Sequence, residues 1–260
     1  ADSGLTIGLV YSNRIPNFFE KWLEAIIRDI SILSKKPELI IIDNSNSGLP
    51  GISNDYFSRV KIIKGKGNIP NNINNRQKAT ANLLADSYNI ILSNCTNDLI
   101  HLREDDIIPE QHSFKKIYNY IMQHNKTVVC GLYFNRYMKS SNSVFSTSTY
   151  TTPISVECTG TGFILFKKSE CPKFSLNTRA HDWAWCSNVK NSGNEIIMLP
   201  DALCKHYTNN DNYAKIPYKE INKDNYRSII IPARCYSRIT KQQEENTNVE
   251  VVIRKPRWSK

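Results

Sequence analysis

Glu104, Asp105 and Asp106 stand side by side directly after the apolar run Leu99-Ile100-His101-Leu102 and Arg103. Adjacent carboxylates repel one another, so such a triplet costs stability unless a cation or a basic partner compensates it. A solvated turn paired with Arg103 and nearby lysines is one compensation, and a divalent ion is another. Mg²⁺ or Mn²⁺ favours hard carboxylate oxygens, takes only one or two from the protein, and fills its remaining positions with water and substrate phosphate oxygens. Two more polar clusters close apolar runs in the same way: Tyr11-Ser12-Asn13-Arg14 after Leu5 to Val10, and Asp43-Asn44-Ser45 after Leu39 to Ile42. Ligands of open parallel sheets collect at the carboxyl ends of the strands. These three clusters are therefore expected to share one rim.

The elements that must position them alternate strand and helix. Leu5 to Tyr11 has the length and β-branched content of a strand buried on both faces. A helix follows, with Asn17 and Glu20 spaced as a capping box and Phe18, Trp22, Ile26, Ile30 and Leu33 on one stripe. Pro37 ends it, and Glu38 to Asp43 reads as a second buried strand, so the first unit is βαβ with a right-handed crossover. Val60 to Ile63 is a third strand, a helix spans about 75 to 87, and a fourth strand falls between Ile90 and Leu102. Phe114, Ile117, Tyr118 and Ile121 mark another amphipathic helix. Beyond it, Thr127 to Phe134, Ile154 to Cys158 and Gly162 to Phe166 are strand-like, with a polar stretch from Lys139 to Thr152 but no dedicated helix separating the first from the other two, which favours antiparallel or mixed pairing. Helical spacing returns from His181 to Lys190, and Glu195 to Leu199 reads as the closing strand of this part of the chain. The fold class is α/β.

Composition narrows the function classes. A chain of 260 residues with 40% hydrophobic and 22% charged residues is neither disordered nor fibrous. No window approaches the length of apolar chain that spans a bilayer, and the opening Ala1-Asp2-Ser3-Gly4 is polar, so neither a membrane span nor a signal peptide is expected. Seven scattered cysteines form no C-x-x-C pair, which argues against zinc and redox-pair sites and for reduced thiols in a cytoplasmic setting. Half of the net charge of +10 sits in residues 207 to 260, where eleven Lys/Arg oppose six Asp/Glu. A basic stretch could meet anionic lipid as a peripheral membrane contact, or it could simply be solvated. Neither G-x-G-x-x-G after the first strand nor G-x-x-x-x-G-K-[ST] occurs, so a dinucleotide-binding turn and a P-loop are both unsupported. Helix-turn-helix, zinc-finger and RRM signatures are lacking too, and no nucleic-acid partner is expected.

Taken in order over residues 5 to 206, the motifs resemble those of GT-A glycosyltransferases, in particular the inverting family-2-like group. Leu102-Arg103-Glu104-Asp105-Asp106-Ile107 is similar to the D-x-D or E-D-D metal motif, Tyr11-Ser12-Asn13-Arg14 to the opening turn, and Ile40 to Ser45 to the end of the second strand. Asn75-Arg76-Gln77-Lys78-Ala79 is similar to an arginine-bearing helix start, and Thr159 to Leu165 to the small-residue turn facing the acceptor. His181-Asp182-Trp183-Ala184-Trp185-Cys186, with Gly193, Pro200-Asp201 and Cys204-Lys205-His206, matches the spacing of E-D-x-x-x-C, a glycine, a strand and a closing histidine. Two positions depart: His181 stands where glutamate is usual, and Arg103 where an acidic residue often is.

The resemblance implies a GT-A catalytic domain over 1–206, with a nucleotide-binding half of about 1–110 and an acceptor half of about 111–206, and a basic extension over 207–260. It implies that Tyr11 and Asn13 line the nucleotide pocket, that Asp43 receives the base, and that Arg76 contacts base or diphosphate. Asp105 would lie toward the ribose, Glu104 would contact the ribose or stand behind the metal ligands, and Asp106 and His206 would hold Mn²⁺ or Mg²⁺. Asp182 would act as general base on a glycan or other hydroxyl acceptor, although its place at a helix start also suits a simple N-terminal cap. One of the two tryptophans could stack on an acceptor sugar, and core packing suits at least one of them. The implied donor is a nucleoside-diphosphate sugar, UDP-sugar favoured. No Q-x-x-R-W follows His206, which speaks against a processive synthase. The rivals are a nucleotidyltransferase on a related scaffold, which would release pyrophosphate, and a non-catalytic polyanion-binding protein. The extension would pack on the catalytic domain or cross the donor site as a lid.

Overall fold

The computed structural model describes residues 4–67, 69, 75–124, 128–133, 153–156, 158–178 and 180–213, together with two short strand segments at 228–229 and 250–251. Its centre is a nine-stranded mixed sheet in the order β3-β2-β1-β4-β8-β6-β9-β5, with β7 paired to β9. β1 (Leu5–Tyr11), β2 (Glu38–Asp43), β3 (Arg59–Lys64) and β4 (Leu99–Arg103) run parallel. β8 (Phe163–Lys167) runs against both β4 and β6 (Val128–Leu132), and β6 runs parallel to β9 (Ile196–His206). β5 (Ile107–Pro109) and β7 (Ile154–Ser155) are antiparallel to β9, so the mixed pairing expected of the second half is present.

The apolar runs of β1 and β2 are buried throughout because helices cover both faces. Leu5, Ile7, Leu9 and Tyr11 face α1 (Phe19–Ile30) and α3 (Ser113–His124), packing with Phe19, Trp22, Ile26, Phe114 and Ile117. Val10, Ile40 and Ile42 face the other way, toward α2 (Arg76–Asn94) and α4 (His181–Asn191), with Ala85, Tyr88, Ile91, Trp185 and Val189. Gly8 permits the close approach of α2, since a Cβ there would lie 2.8 Å from Ile91 Cγ2.

Three sequence expectations change. α2 runs on to Asn94 and absorbs Ile90 to Ser93, because Ala81, Ala85, Tyr88 and Leu92 continue one buried helical stripe; the fourth strand therefore begins only at Leu99. The capping box of α1 is not made. Phe18 is the N-cap, without a side-chain cap, and its ring lies 4.9 Å from Tyr207, so core packing rather than Asn17 sets the helix start. β9 does not stop at Leu199. Its register with β6 jumps between Gly131, opposite Leu199, and Leu132, opposite Leu203. The chain bulges through Pro200 to Ala202, where the Ala202 carbonyl lies 2.4 Å from the place a Gly131 Cβ would take. Past the bulge, β9 is re-aimed onto β5, a strand too short to be read in advance.

The first residues after β9 lie on α1: Lys21 Nζ sits 4.3 Å over the Tyr207 ring and donates to the Asn210 carbonyl at 3.1 Å. Ser228–Ile229 (β10) and Glu250–Val251 (β11) pair in parallel. The remainder of 214–260 lies outside the described residues, as does the polar stretch 139–152, so the lid expected of the extension falls there as well. Five of the cysteines, Cys95, Cys130, Cys158, Cys186 and Cys204, are buried thiols; Cys235 is outside the described residues. No described helix is long and apolar enough to cross a membrane.

Candidate active site

The three polar clusters meet at the carboxyl ends of β1, β2 and β4, as the parallel register requires: Tyr11 is opposite Asp43, and Gly8 opposite Leu102. After Arg103 the chain turns, with the Ile107 amide donating to the Glu104 carbonyl at 3.3 Å, and enters β5. β5 pairs with the end of β9, placing Ile107 opposite His206, and the Tyr207 amide donates to the Asp106 carbonyl at 2.8 Å. By this route Asp106 and His206, one hundred residues apart, become neighbours: Asp106 Oδ2 lies 3.4 Å from His206 Nε2. Glu104 joins them, the three offering ligand atoms all within 4.8 Å of one another. Asp106 and His206 are buried, Glu104 half-buried. The imidazole is steadied by the Tyr133 ring, edge-on at 5.7 Å.

Asp105 turns toward the β1 loop. Its Oδ2 accepts from the Ser12 amide at 2.8 Å and the Ser12 hydroxyl at 3.0 Å, while its Oδ1 accepts from Arg14 Nη2 at 3.3 Å. Arg14 Nη2 is also 3.3 Å from Asp106 Oδ2. Burial alone would lower the pKa of this guanidinium, but Asp106, Asp105 and Glu104 outweigh it and drive the value up. Asn13 holds a left-handed turn (φ 52°) and donates from Nδ2 to Ser47 Oγ at 2.9 Å, tying the loop after β1 to the loop after β2.

Asp43 Oδ1 accepts from the Ser45 amide at 2.9 Å and the Ser45 hydroxyl at 2.6 Å, and Oδ2 from Lys64 Nζ at 3.2 Å. Burial pushes its pKa up, yet these Ser45 bonds and the Lys64 ammonium together bring it below the usual carboxylate value. Tyr11 is raised, first by burial and then by Asp105 and Asp43. Arg76 is exposed in the first turn of α2.

Asp182 lies in the first turn of α4 and is 8% exposed. Ala180, not Asp182, is the N-cap, and Asp182 Oδ1 accepts from the Trp183 amide at 2.9 Å. The two tryptophans divide. Trp185 is fully buried, stacked on Phe174 at 4.9 Å and donating from Nε1 to the Pro172 carbonyl at 2.9 Å, whereas Trp183 is 45% exposed beside Asp182. His181 faces inward, its Nε2 3.3 Å from Thr161 Oγ1, which donates to Tyr88 Oη at 3.1 Å. The pKa of Tyr88 is driven well up by burial first, then by Glu104 and, more weakly, Asp182, and its ring lies 5.8 Å from the His181 ring at the start of α4. The Thr159 to Gly162 turn needs its glycines: a Cβ on Gly160 would lie 2.1 Å from Tyr133 Oη, and one on Gly162 2.3 Å from Ile107 Cδ1.

Arg103 takes no part in this rim. Strand alternation carries it to the α1 side, where it is fully buried and Nη2 lies 2.5 Å from Asp29 Oδ2. The residue that faces the carboxylates is Arg14, a member of the first polar cluster to which the family resemblance gives no role. A cation directly after β1, beside an acidic turn after the adjacent parallel β4, was the clue. Lys64 was missed for want of a local pattern, since an edge strand carries lysines for solubility as readily as for function.

No protein-family model and no curated protein sequence matches the chain. Among solved structures, residues 1–349 of S. aureus TarS are 10% identical with a TM-score of 0.51, over 76% of this chain and 58% of that one. A longer S. aureus TarS structure gives 11% and 0.51 over 76% and 35%. A mannosyltransferase from Pyrobaculum calidifontis, in complex with GDP-Man and Mn²⁺, gives 14% and 0.53 over 78% and 56%. The chain thus spans between about a third and three fifths of these neighbours. At such identities the likeness defines the fold alone: the chain has the GT-A fold of glycosyltransferases.

Proposed function

We propose that the chain is a metal-dependent glycosyltransferase that moves a sugar from a nucleoside-diphosphate donor to a hydroxyl acceptor with inversion. The observation that carries this reading is the approach of Asp106 Oδ2 and His206 Nε2 to 3.4 Å, at the carboxyl rim of a GT-A sheet with Glu104 alongside. Two carboxylates and one imidazole suit Mn²⁺ or Mg²⁺, with open positions left for phosphate oxygens. Asp106 and His206 would hold the ion. When bound, it supplies Lewis-acid stabilisation of the negative charge that gathers on the departing diphosphate.

The remaining roles belong to the chain itself. Tyr11, Asn13 and Asp43 line the nucleoside pocket, and the Ser45 and Lys64 contacts keep Asp43 ionised to accept from a base N–H. Arg76 meets base or diphosphate. Asp105 lies toward the ribose and orders the Ser12 to Arg14 turn, and Glu104 stands behind the ion. Asp182 takes the proton of the acceptor hydroxyl as its oxygen bonds to the anomeric carbon and the bond from that carbon to the phosphate oxygen breaks. Direct displacement of this kind inverts the centre, and general-base help is worth about 10²–10⁴-fold. Exposed Trp183 offers a flat apolar face to the acceptor ring.

The domain division at 206, a cytoplasmic setting, and packing or peripheral membrane contact by the basic extension belong to the same proposal. The test is a panel of UDP- and GDP-sugars incubated with and without Mn²⁺. Release of nucleoside diphosphate by the wild type and none by Asp106→Ala is expected. Turnover retained in that variant would overturn the reading, pyrophosphate release would point to nucleotidyl transfer, and salt-sensitive duplex binding surviving in Asp106→Ala would point to a polyanion binder.

A further inference from the structure

Three carboxylates on one turn, two of them on buried residues, need positive charge close by before any ligand arrives. Arg14 supplies it. Its Nη2 lies 3.3 Å from both Asp105 Oδ1 and Asp106 Oδ2, and that Asp106 oxygen is the one facing His206 Nε2. A divalent ion bound at this oxygen would sit about 2.1 Å from it, within strong repulsion of the guanidinium. The Arg14 side chain is 44% exposed and springs from a loop that Asn13 takes through a left-handed turn, so it has room to leave.

We propose that Arg14 is a tethered cation that occupies the acidic turn of the ligand-free protein and must vacate Asp106 when a divalent ion enters. This rests on the metal site proposed above. Arg14 then depresses the affinity for the free ion. It also couples ion and donor, because a donor diphosphate arriving with the ion gives the displaced guanidinium a new anion. In thermodynamic terms the nucleotide raises the affinity for the ion, and by reciprocity the ion raises that for the nucleotide by the same factor.

The test measures free Mn²⁺ by electron paramagnetic resonance during titration of the wild type, Arg14→Gln, Arg14→Lys and Asp106→Asn, each with and without UDP or GDP. Thermal unfolding of each metal-free protein verifies folding. Loss of two partly exposed ion pairs predicts that Arg14→Gln binds Mn²⁺ at least about fivefold more tightly than the wild type, with a smaller enhancement by nucleotide. Arg14→Lys, which keeps the charge, falls between them and carries the test if Arg14→Gln does not fold. Unchanged or weaker Mn²⁺ binding in Arg14→Gln, with binding still lost in Asp106→Asn, overturns the role of Arg14 and leaves the metal site standing. Binding unaffected by Asp106→Asn, or absent from every variant, overturns the site and this inference together.

Discussion

Replacing Asp29 by alanine removes the partner of a fully buried cation. Arg103 is 0% exposed and Asp29 3% by side chain, with Nη2 and Oδ2 2.5 Å apart, and Arg28 Nη2 caps the other carboxylate oxygen at 2.8 Å. Nε and Nη1 of Arg103 have no hydrogen-bond partner among the described residues, and the only aromatic face near the guanidinium there is Phe163, at 5.3 Å. Truncating one member of such a pair leaves an uncompensated charge in the core and costs about 3–5 kcal/mol. With a urea slope of about 2–3 kcal/mol per M, the midpoint should fall by about 1–2.5 M at unchanged slope. The double variant Asp29→Leu/Arg103→Met removes both charges, and it should recover most of the loss. Because Arg103 faces α1 and not the acidic turn, the double variant should also bind Mn²⁺ as the wild type does. A loss below about 1 kcal/mol for Asp29→Ala, where breaking a buried pair should cost several times that, would show that Asp29 does not hold the Arg103 charge. So would a double variant as unstable as the single one.

Two other perturbations read the scaffold. His101 is buried and donates from Nδ1 to the Ile164 carbonyl at 2.9 Å; burial first, and Arg103 second, hold its pKa well below the ordinary value. The unfolded chain therefore takes a proton near pH 6.5 that the folded one refuses, so this contribution to stability is intact above that pH and lost below it, at up to about 1.4 kcal/mol per pH unit. His101→Gln should flatten the fall measured by urea unfolding between pH 6.5 and 5, and an unaltered slope would count against the neutral imidazole. Trp185→Ala should cost about 3–5 kcal/mol of stability. Trp183→Ala should stay within about 0.5 kcal/mol while raising the KM for acceptor, and an unchanged KM would remove Trp183 from the acceptor site.

What could be read from the residues was set by local pattern. β1 and β2 were legible to the residue because an apolar run closed by polar residues has one physical use in a parallel sheet, and the helix over 181–190 announced itself by spacing. The convergence of Asp106 and His206 was anticipated only by analogy of motif order. Nothing local to His206 predicts that β9 bulges past Pro200 and swings from β6 to β5, a consequence of Gly131 yielding space to the Ala202 carbonyl. α2 was cut short because Ile90 to Leu92 suits strand and helix alike until Ala81, Ala85 and Tyr88 are placed against the sheet. The destination of Arg103 was hidden for a related reason: its partner, Asp29, lies on the far face of the strand and 74 residues away.

In the proposed site one cation is shared by Asp106 and His206. Pulsed electron paramagnetic resonance of Mn²⁺ bound together with a nucleoside diphosphate reports directly on nitrogen ligands. A ¹⁴N modulation from a coordinated imidazole is expected in the wild type, lost in His206→Gln, with the bound ion itself lost in Asp106→Asn. A Mn²⁺ spectrum free of imidazole coupling, or one whose coupling persists in His206→Gln, would contradict a shared site.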